Sequence, residues 1–181
     1  GPTSDWLVAV AASSSLAVAA GDNGAIYTSG NGIQWYRQNS GTTAWFLGVA
    51  AGAGTFVVVG ESGAVFTSPD GTNWTARTPP TSADLYRVHF GNGMFTAVGA
   101  GGATYSSTNN GVSWFPEDSG ATNILQYATT GGDDRLLDGI NEVRLKETGP
   151  WQDQLVLSNG PPVWTYYTAM GRPGFFLIAG Q

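Results

Sequence analysis

Cysteine is absent from this 181-residue chain, and histidine occurs once, at His89. The first absence excludes a disulfide scaffold and zinc sites built on thiolates. A lone histidine would need serine and aspartate partners that sequence cannot place, so a packed or surface imidazole is the plainer reading of His89. Charge is scarce as well: Asp, Glu, Lys and Arg make up 11% of the chain, against about 25% in an ordinary domain. Seven Lys and Arg face 13 Asp and Glu, a net charge of −6. Scattered bases in an acidic chain do not form the positive patch that nucleic acid or an anionic membrane surface requires. No run approaches the roughly 20 apolar residues of a membrane-spanning helix, so no membrane insertion is expected. No segment keeps a 3.6-residue apolar period over ten residues, so helices should be nearly absent. What remains is glycine (27 residues), 41% hydrophobic residues and a rich aromatic set of 7 Trp, 7 Tyr and 8 Phe. That is too apolar for disorder and enough for a real core.

These residues repeat. Ala25-Ile26-Tyr27-Thr28-Ser29-Gly30-Asn31-Gly32-Ile33-Gln34-Trp35 lines up with Ala64-Val65-Phe66-Thr67-Ser68-Pro69-Asp70-Gly71-Thr72-Asn73-Trp74, and both line up with residues 103–114, which end on Trp114. The closing tryptophans lie 39 and 40 residues apart, and Gly21, Gly60, Gly99, Gly139 and Gly180 keep the same beat. Each unit holds four short β-rich runs separated by Gly and Asn/Asp turns. Four strands per unit of about 40 residues is the pattern of a β-propeller blade. A stacked β-solenoid is the alternative, and its coils are usually shorter, at about 20–30 residues.

The expected organisation is all-β: a β-propeller or propeller arc of four four-stranded blades plus a half blade. Residues 1–5 are a leader whose Gly1-Pro2 reads as a protease-cleavage scar. Blade 1 spans 6–44, blade 2 spans 45–84 and blade 3 spans 85–124. A degenerate blade 4 covers 125–163, with strands expected at Leu125–Thr129, Leu136-Leu137, Glu142–Lys146 and Gln154–Ser158. Residues 164–181 restart the pattern and supply half of a fifth blade.

The turn segments resemble the Asp-box, or BNR, repeat, whose pattern is Ser-x-Asp-x-Gly-x-Thr-Trp. Residues 107–114 fit at full length, with Ser107, Asn109 for the Asp, Gly111, Ser113 for the Thr, and Trp114. The first two copies are one residue shorter: Ser29, Asn31, Gly32 and Trp35, then Ser68, Asp70, Gly71 and Trp74. The resemblance implies a hairpin between the third and fourth strands of a blade, with the Asp or Asn capping backbone amides and the Trp packed on its own blade. It implies a structural role, not a catalytic one. Asp-box propellers include sialidases, photosystem II assembly factors and sorting receptors, so the fold does not select the function. A sialidase resemblance would further imply six blades, three arginines converging on a carboxylate, a Tyr/Glu pair and an acid. This chain offers Arg37, Arg77, Arg87, Arg135, Arg144 and Arg172. Arg37 and Arg77 follow the turn tryptophans closely and fall on outermost strands, so no such triad assembles and no enzyme is expected.

Other signals read as structure. Gly99-Ala100-Gly101-Gly102 and Gly52-Ala53-Gly54 lack the Lys-Ser/Thr and helix of a phosphate loop, and are turns. Asp133-Asp134 and Asp22-Asn23 lack the alternating oxygen ligands of a calcium loop, so neither metal nor cofactor is expected. Asn73-Trp74-Thr75 spells a glycosylation sequon inside a turn.

Comparing equivalent positions of the units is more informative. Val10, Val49 and Val88 are identical on the first strand, a packing position. The neighbouring position reads Ala9, Gly48, Arg87, Tyr127, Tyr167, and two residues on it reads Ala11, Ala50, His89, Thr129, Ala169. Small residues in units one and two give way to Arg87, His89, Tyr127 and Tyr167, which would gather near a propeller axis as a ligand site or merely fill a wider gap. A second series, Trp6, Trp45 and Trp164, marks strand starts, where tryptophans either stack on sugar rings or wedge between blades. The resulting expectation is a non-catalytic, extracellular, periplasmic or cell-surface binding module. Its ligand is a glycan, met by Arg87, His89, Tyr127, Tyr167, Trp6, Trp45 and Trp164. The alternative is a protein ligand on an interaction scaffold resembling the assembly-factor propellers. Incomplete closure further suggests a homo-oligomer or the remainder of a longer chain.

Overall fold

The computed structural model describes residues 4–78, 81–131, 134–139, 142–146, 152–155, 168–172 and 175–179. Eighteen strands are described and, apart from one-turn 3-10 segments at Glu61–Gly63 and Ala100–Gly102, no helix. β1 (Leu7–Ala12), β2 (Ala17–Gly21), β3 (Ile26–Ser29) and β4 (Tyr36–Gln38) form the first sheet. β5 (Phe46–Gly52), β6 (Thr55–Gly60), β7 (Val65–Ser68) and β8 (Thr75–Arg77) form the second, and β9 (Leu85–Gly91), β10 (Met94–Gly99), β11 (Thr104–Ser107) and β12 (Phe115–Pro116) the third. β13 (Leu125–Gly131), β14 (Asp134–Gly139), β15 (Glu142–Lys146) and β16 (Gln152–Leu155) form the fourth, followed by a two-stranded unit of β17 (Thr168–Arg172) and β18 (Phe175–Ala179). Each sheet is an antiparallel meander in chain order. The fourth strand of unit four begins at Gln152, two residues earlier than the sequence pattern places it.

Successive sheets stack through their first strands: β1 against β5, β5 against β9, β9 against β13, and β13 against β17. The first strand is therefore innermost, and the chain is a β-propeller arc of four full blades and a half blade. Arg37 on β4 and Arg77 on β8 sit on outermost strands.

The local chemistry explains the hairpins. Ala53-Gly54 and Asn92-Gly93 both take positive φ between β5 and β6 and between β9 and β10. Those are the two-residue turns whose twist matches paired strands. The periodic glycines have another cause. A Cβ at Gly21, Gly60 or Gly99 would overlap the carbonyl oxygen of Trp6, Trp45 or Asp84. That carbonyl accepts the next amide, from Asp22, Glu61 or Ala100 at 3.1, 3.0 and 2.9 Å. Just beyond it, the first strand of each four-stranded sheet carries a register shift, between Leu7 and Ala9, Phe46 and Gly48, Leu85 and Arg87, and Leu125 and Tyr127. One latch, a close carbonyl followed by a bulge, recurs in four blades.

Because of the bulge, each sheet turns a defined set of side chains toward the preceding blade, its front, and another toward the following blade, its back. Phe46, Val49 and Val58 of blade 2 pack with Val18, Ala20 and Ile26 of blade 1. Leu85, Val88 and Phe95 of blade 3 pack with Ala50, Val57 and Val59 of blade 2. The core is thus a series of joints between blades.

Candidate functional site

The turns between third and fourth strands have one hydrogen-bond plan. In blade 1, Ser29 Oγ accepts the Gly32 amide at 2.8 Å, and Asn31 Oδ1 accepts the amides of Ile33 and Gln34 at 3.0 and 2.9 Å. In blade 2, Ser68 Oγ accepts from Gly71 at 2.8 Å, and Asp70 Oδ1 from Thr72 and Asn73 at 2.9 and 2.8 Å. In blade 3, Ser107 Oγ accepts from Gly111 at 3.0 Å and Asn109 Oδ1 from Ser113 at 2.9 Å. Each tryptophan then donates Nε1–H to the turn glycine's carbonyl: Trp35 to Gly32, Trp74 to Gly71 and Trp114 to Gly111. The amides around Asp70, together with the Asn73 side chain, hold its carboxyl well below the usual carboxylate range. These acceptors are engaged by the amides of their own turns.

The tryptophans do not pack only on their own blade, as the sequence resemblance implied. Trp114 is buried in the joint with Ala50, Val57, Val59 and Val65 of blade 2, and Trp74 packs on the joint with blade 1. The turn glycines meet the same neighbours. A Cβ at Gly71 would strike Leu16, Thr28 and Val18, and one at Gly111 would strike Thr67 and Val57. A single unit cannot reveal this, because the partner surface lies one repeat upstream.

On the inner strands, Arg87 pairs with Val98 and His89 with Thr96. Direct cross-strand partners share a face, and Val98 is buried with Leu125 of blade 4. Arg87 and His89 therefore hold register positions on the face of β9 that Val98 and Thr96 share, but the Arg87 guanidinium reaches back to blade 2. Arg87 Nη1 donates to the carbonyl oxygens of Leu47 at 2.6 Å and Tyr86 at 3.2 Å. Burial holds the His89 pKa below its ordinary value, which favours the neutral imidazole. Tyr127 takes the matching register position on β13, opposite Asp138. The series thus places one position at each joint. Tyr167 and Trp164 lie outside the described residues.

Of the strand-start series, Trp6 is 67% exposed. Its ring centroid is 5.9 Å from that of Trp45, with the planes tilted by 37°. Trp45 is half-buried, and its Nε1 is buried with no acceptor among the described residues. The pair therefore offers one free ring rather than a platform of two.

A groove missed by sequence reading lies between blades 1 and 2 at the hairpin end. It has a volume of about 360 Å³ and is lined by Ser13–Leu16, Gly52, Gly54, Phe56 and Asp70. Its walls come from loops one repeat apart, and only the stacking brings them together. Among the described residues no group of three or more His, Asp or Glu could hold a metal ion, and no helix is long and apolar enough to cross a membrane.

No protein-family model matches the chain, and no curated protein matches it by sequence. Solved structures share its architecture. It is similar to YCF48 bound to D1 peptide (TM-score 0.66, 17% identity, 84% of this chain and 56% of that one). YCF48 from Cyanidioschyzon merolae aligns at TM-score 0.64 and 18% identity over 84% of this chain and 57% of that one. The WD40 β-propeller domain of Doa1 aligns at TM-score 0.75 and 10% identity, over 98% of this chain and 62% of that one. At such identities the likeness establishes the propeller fold. The chain spans less than two thirds of the length of each of these structures.

Proposed function

We propose that the chain is a non-catalytic protein-interaction propeller that takes an extended peptide segment at the inner ends of its later blades. The observation that carries this reading is the substitution of Arg87 and His89, on the innermost strand of blade 3, for the glycine and alanines of blades 1 and 2. Arginine and histidine two residues apart on one inner strand suit a segment bearing a carboxylate. The likeness to YCF48 bound to D1 peptide supports a peptide rather than a sugar. The glycan reading rested on Trp6, Trp45, Trp164 and the Tyr127/Tyr167 pair, and the half-burial of Trp45 weakens the tryptophan part of it. We further infer that the Ser-Asx-Gly-Trp turns are Asp boxes, supported by their shared acceptor plan.

The test is a paired screen of a peptide array, enriched in C-terminal and acidic segments, and a glycan array. Peptide binding that weakens at least tenfold in His89→Ala and Arg87→Ala, with the circular dichroism spectrum retained, supports the proposal. Glycan binding abolished by Trp6→Ala, with no peptide signal, overturns it.

A further inference from the structure

The groove between blades 1 and 2 lies where the next joint holds a phenylalanine. Between blades 2 and 3, the Phe90 ring lies over β5, and a Cβ at Gly52 would overlap it. Its centroid is 4.7 Å from that of Phe95, its partner on β10, and it packs on the buried cluster of that joint. One repeat upstream, the joint between blades 1 and 2 keeps half of this pair. Phe56 takes the place of Phe95 and is buried, and it pairs with Ala51, which takes the place of Phe90. Alanine brings no ring, and the groove of about 360 Å³ is lined by both Ala51 and Phe56. Ser13 stands where Gly52 stands in the next joint. Its Oγ is turned into its own hairpin, accepting the amides of Ser15 and Leu16 at 3.3 and 3.1 Å.

We propose that this groove takes an aromatic side chain of a partner polypeptide, with a basic residue next to it. Phe90 shows which group the slot between two blades accepts: a phenyl ring set against a buried phenylalanine of the second strand, an arrangement that aromatic pairs favour. An apolar cavity of about 150 Å³ already holds benzene, so the groove has room for a ring and for the chain that carries it. The exposed Ser14 and Ser15 on its wall give that chain polar partners. Asp70 sets the charge. It is the one charged residue in the lining, it is exposed, and no Lys, Arg or His lines the groove to answer it. A lysine or arginine beside the ring would. The site does not rest on the reading of Arg87 and His89, which calls for a carboxylate on a different strand.

The probe is the peptide acetyl-Gly-Phe-Lys-Gly-amide, titrated into the isotope-labelled chain and followed by amide NMR shifts. The shifts should gather at residues 13–16 and 52–56. Replacing the peptide's Phe by Leu should weaken binding by about fivefold or more, and replacing its Lys by Glu by roughly threefold. Asp70→Asn, which keeps the turn's acceptor, should erase the difference between the Lys and Glu peptides. Ser13→Gly combined with Ala51→Phe rebuilds the joint of blades 2 and 3 and should abolish binding with the circular dichroism spectrum retained. Phe90→Ala tests the same slot without filling it. It should open a second site over Gly52 that takes the Phe peptides without preferring Lys, because Asn109 stands there in place of Asp70. Absence of shifts at the groove overturns the proposal, as does equal binding of the Leu peptide or binding that survives the filled variant. Benzylamine binding as tightly as the Phe-Lys peptide would also overturn it, in favour of a small aromatic amine.

Discussion

The Arg87 guanidinium donates to the carbonyl of Leu47, 40 residues upstream, across a distance of 2.6 Å. Leu47 is the bulged residue of β5, so one blade's side chain completes its neighbour's irregular backbone. Arg87→Met should retain the fold while losing the hydrogen bond of a charged donor, about 1.5–3 kcal/mol. Urea unfolding will measure the loss. A cost indistinguishable from zero would show that the contact with Leu47 adds nothing to stability.

Asp70 gives the protein an acid sensitivity that the turns of blades 1 and 3, built on asparagine, lack. Its native pKa is depressed by the amides of Asn73 and Thr72 and by the Asn73 side chain. Its contribution is therefore complete above the unfolded-state value near 4 and declines as pH falls toward the native pKa. Asp70→Asn should flatten the stability profile below pH 4 and change little at pH 7, because an amide oxygen still accepts the Thr72 and Asn73 amides. Because Asp70 is exposed, the effect should be modest and weaken with salt. Thermal melts from pH 2 to 7 will compare the two slopes.

The three turn tryptophans should rank by the neighbour they meet, not by their own turn. Trp114→Ala should cost about 3–5 kcal/mol, as a buried aromatic truncation does. Trp74→Ala, on a half-buried ring, should cost less, and Trp35→Ala, on a ring that is 37% exposed, least. Equal losses at all three sites would mean that the intrablade contact dominates after all.

Gly71 and Gly32 separate backbone strain from blade packing. Both hold positive φ, +74 and +71, so alanine imposes a similar conformational penalty of about 1 kcal/mol at each. Only Gly71→Ala also forces a methyl group into Leu16 and Thr28. Its melting temperature should fall well below that of Gly32→Ala, and a matched pair of melts would contradict the joint described here.

The propeller was legible because its determinants are local and repeated. Gly60, the Ser68-Pro69-Asp70-Gly71 turn and the Val57-Val58-Val59 run encode a hairpin within one unit, and repetition removes the ambiguity of any single short run. Relations between units were not legible in the same way. The anchoring of Arg87 on Leu47 depends on a bulge that no composition announces, and Trp114 reads alike whether it faces its own sheet or the one before. The groove beside Asp70 likewise exists only after stacking. The first-strand series did single out Arg87 and His89, because comparison among units exposes a departure from the small-residue rule.

The carbonyl-and-glycine latch at Gly21, Gly60 and Gly99 has a genetic consequence. Every junction is made from the same parts, so cutting the chain at one latch and rejoining it at the next leaves two compatible surfaces. A unit of 39 or 40 residues can then be duplicated or lost in one event, changing the arc's length while creating no new kind of contact. Point substitutions face a stricter filter, since a residue on either side of a joint must suit the blade beside it. Blade number is therefore the trait that this architecture lets vary most freely.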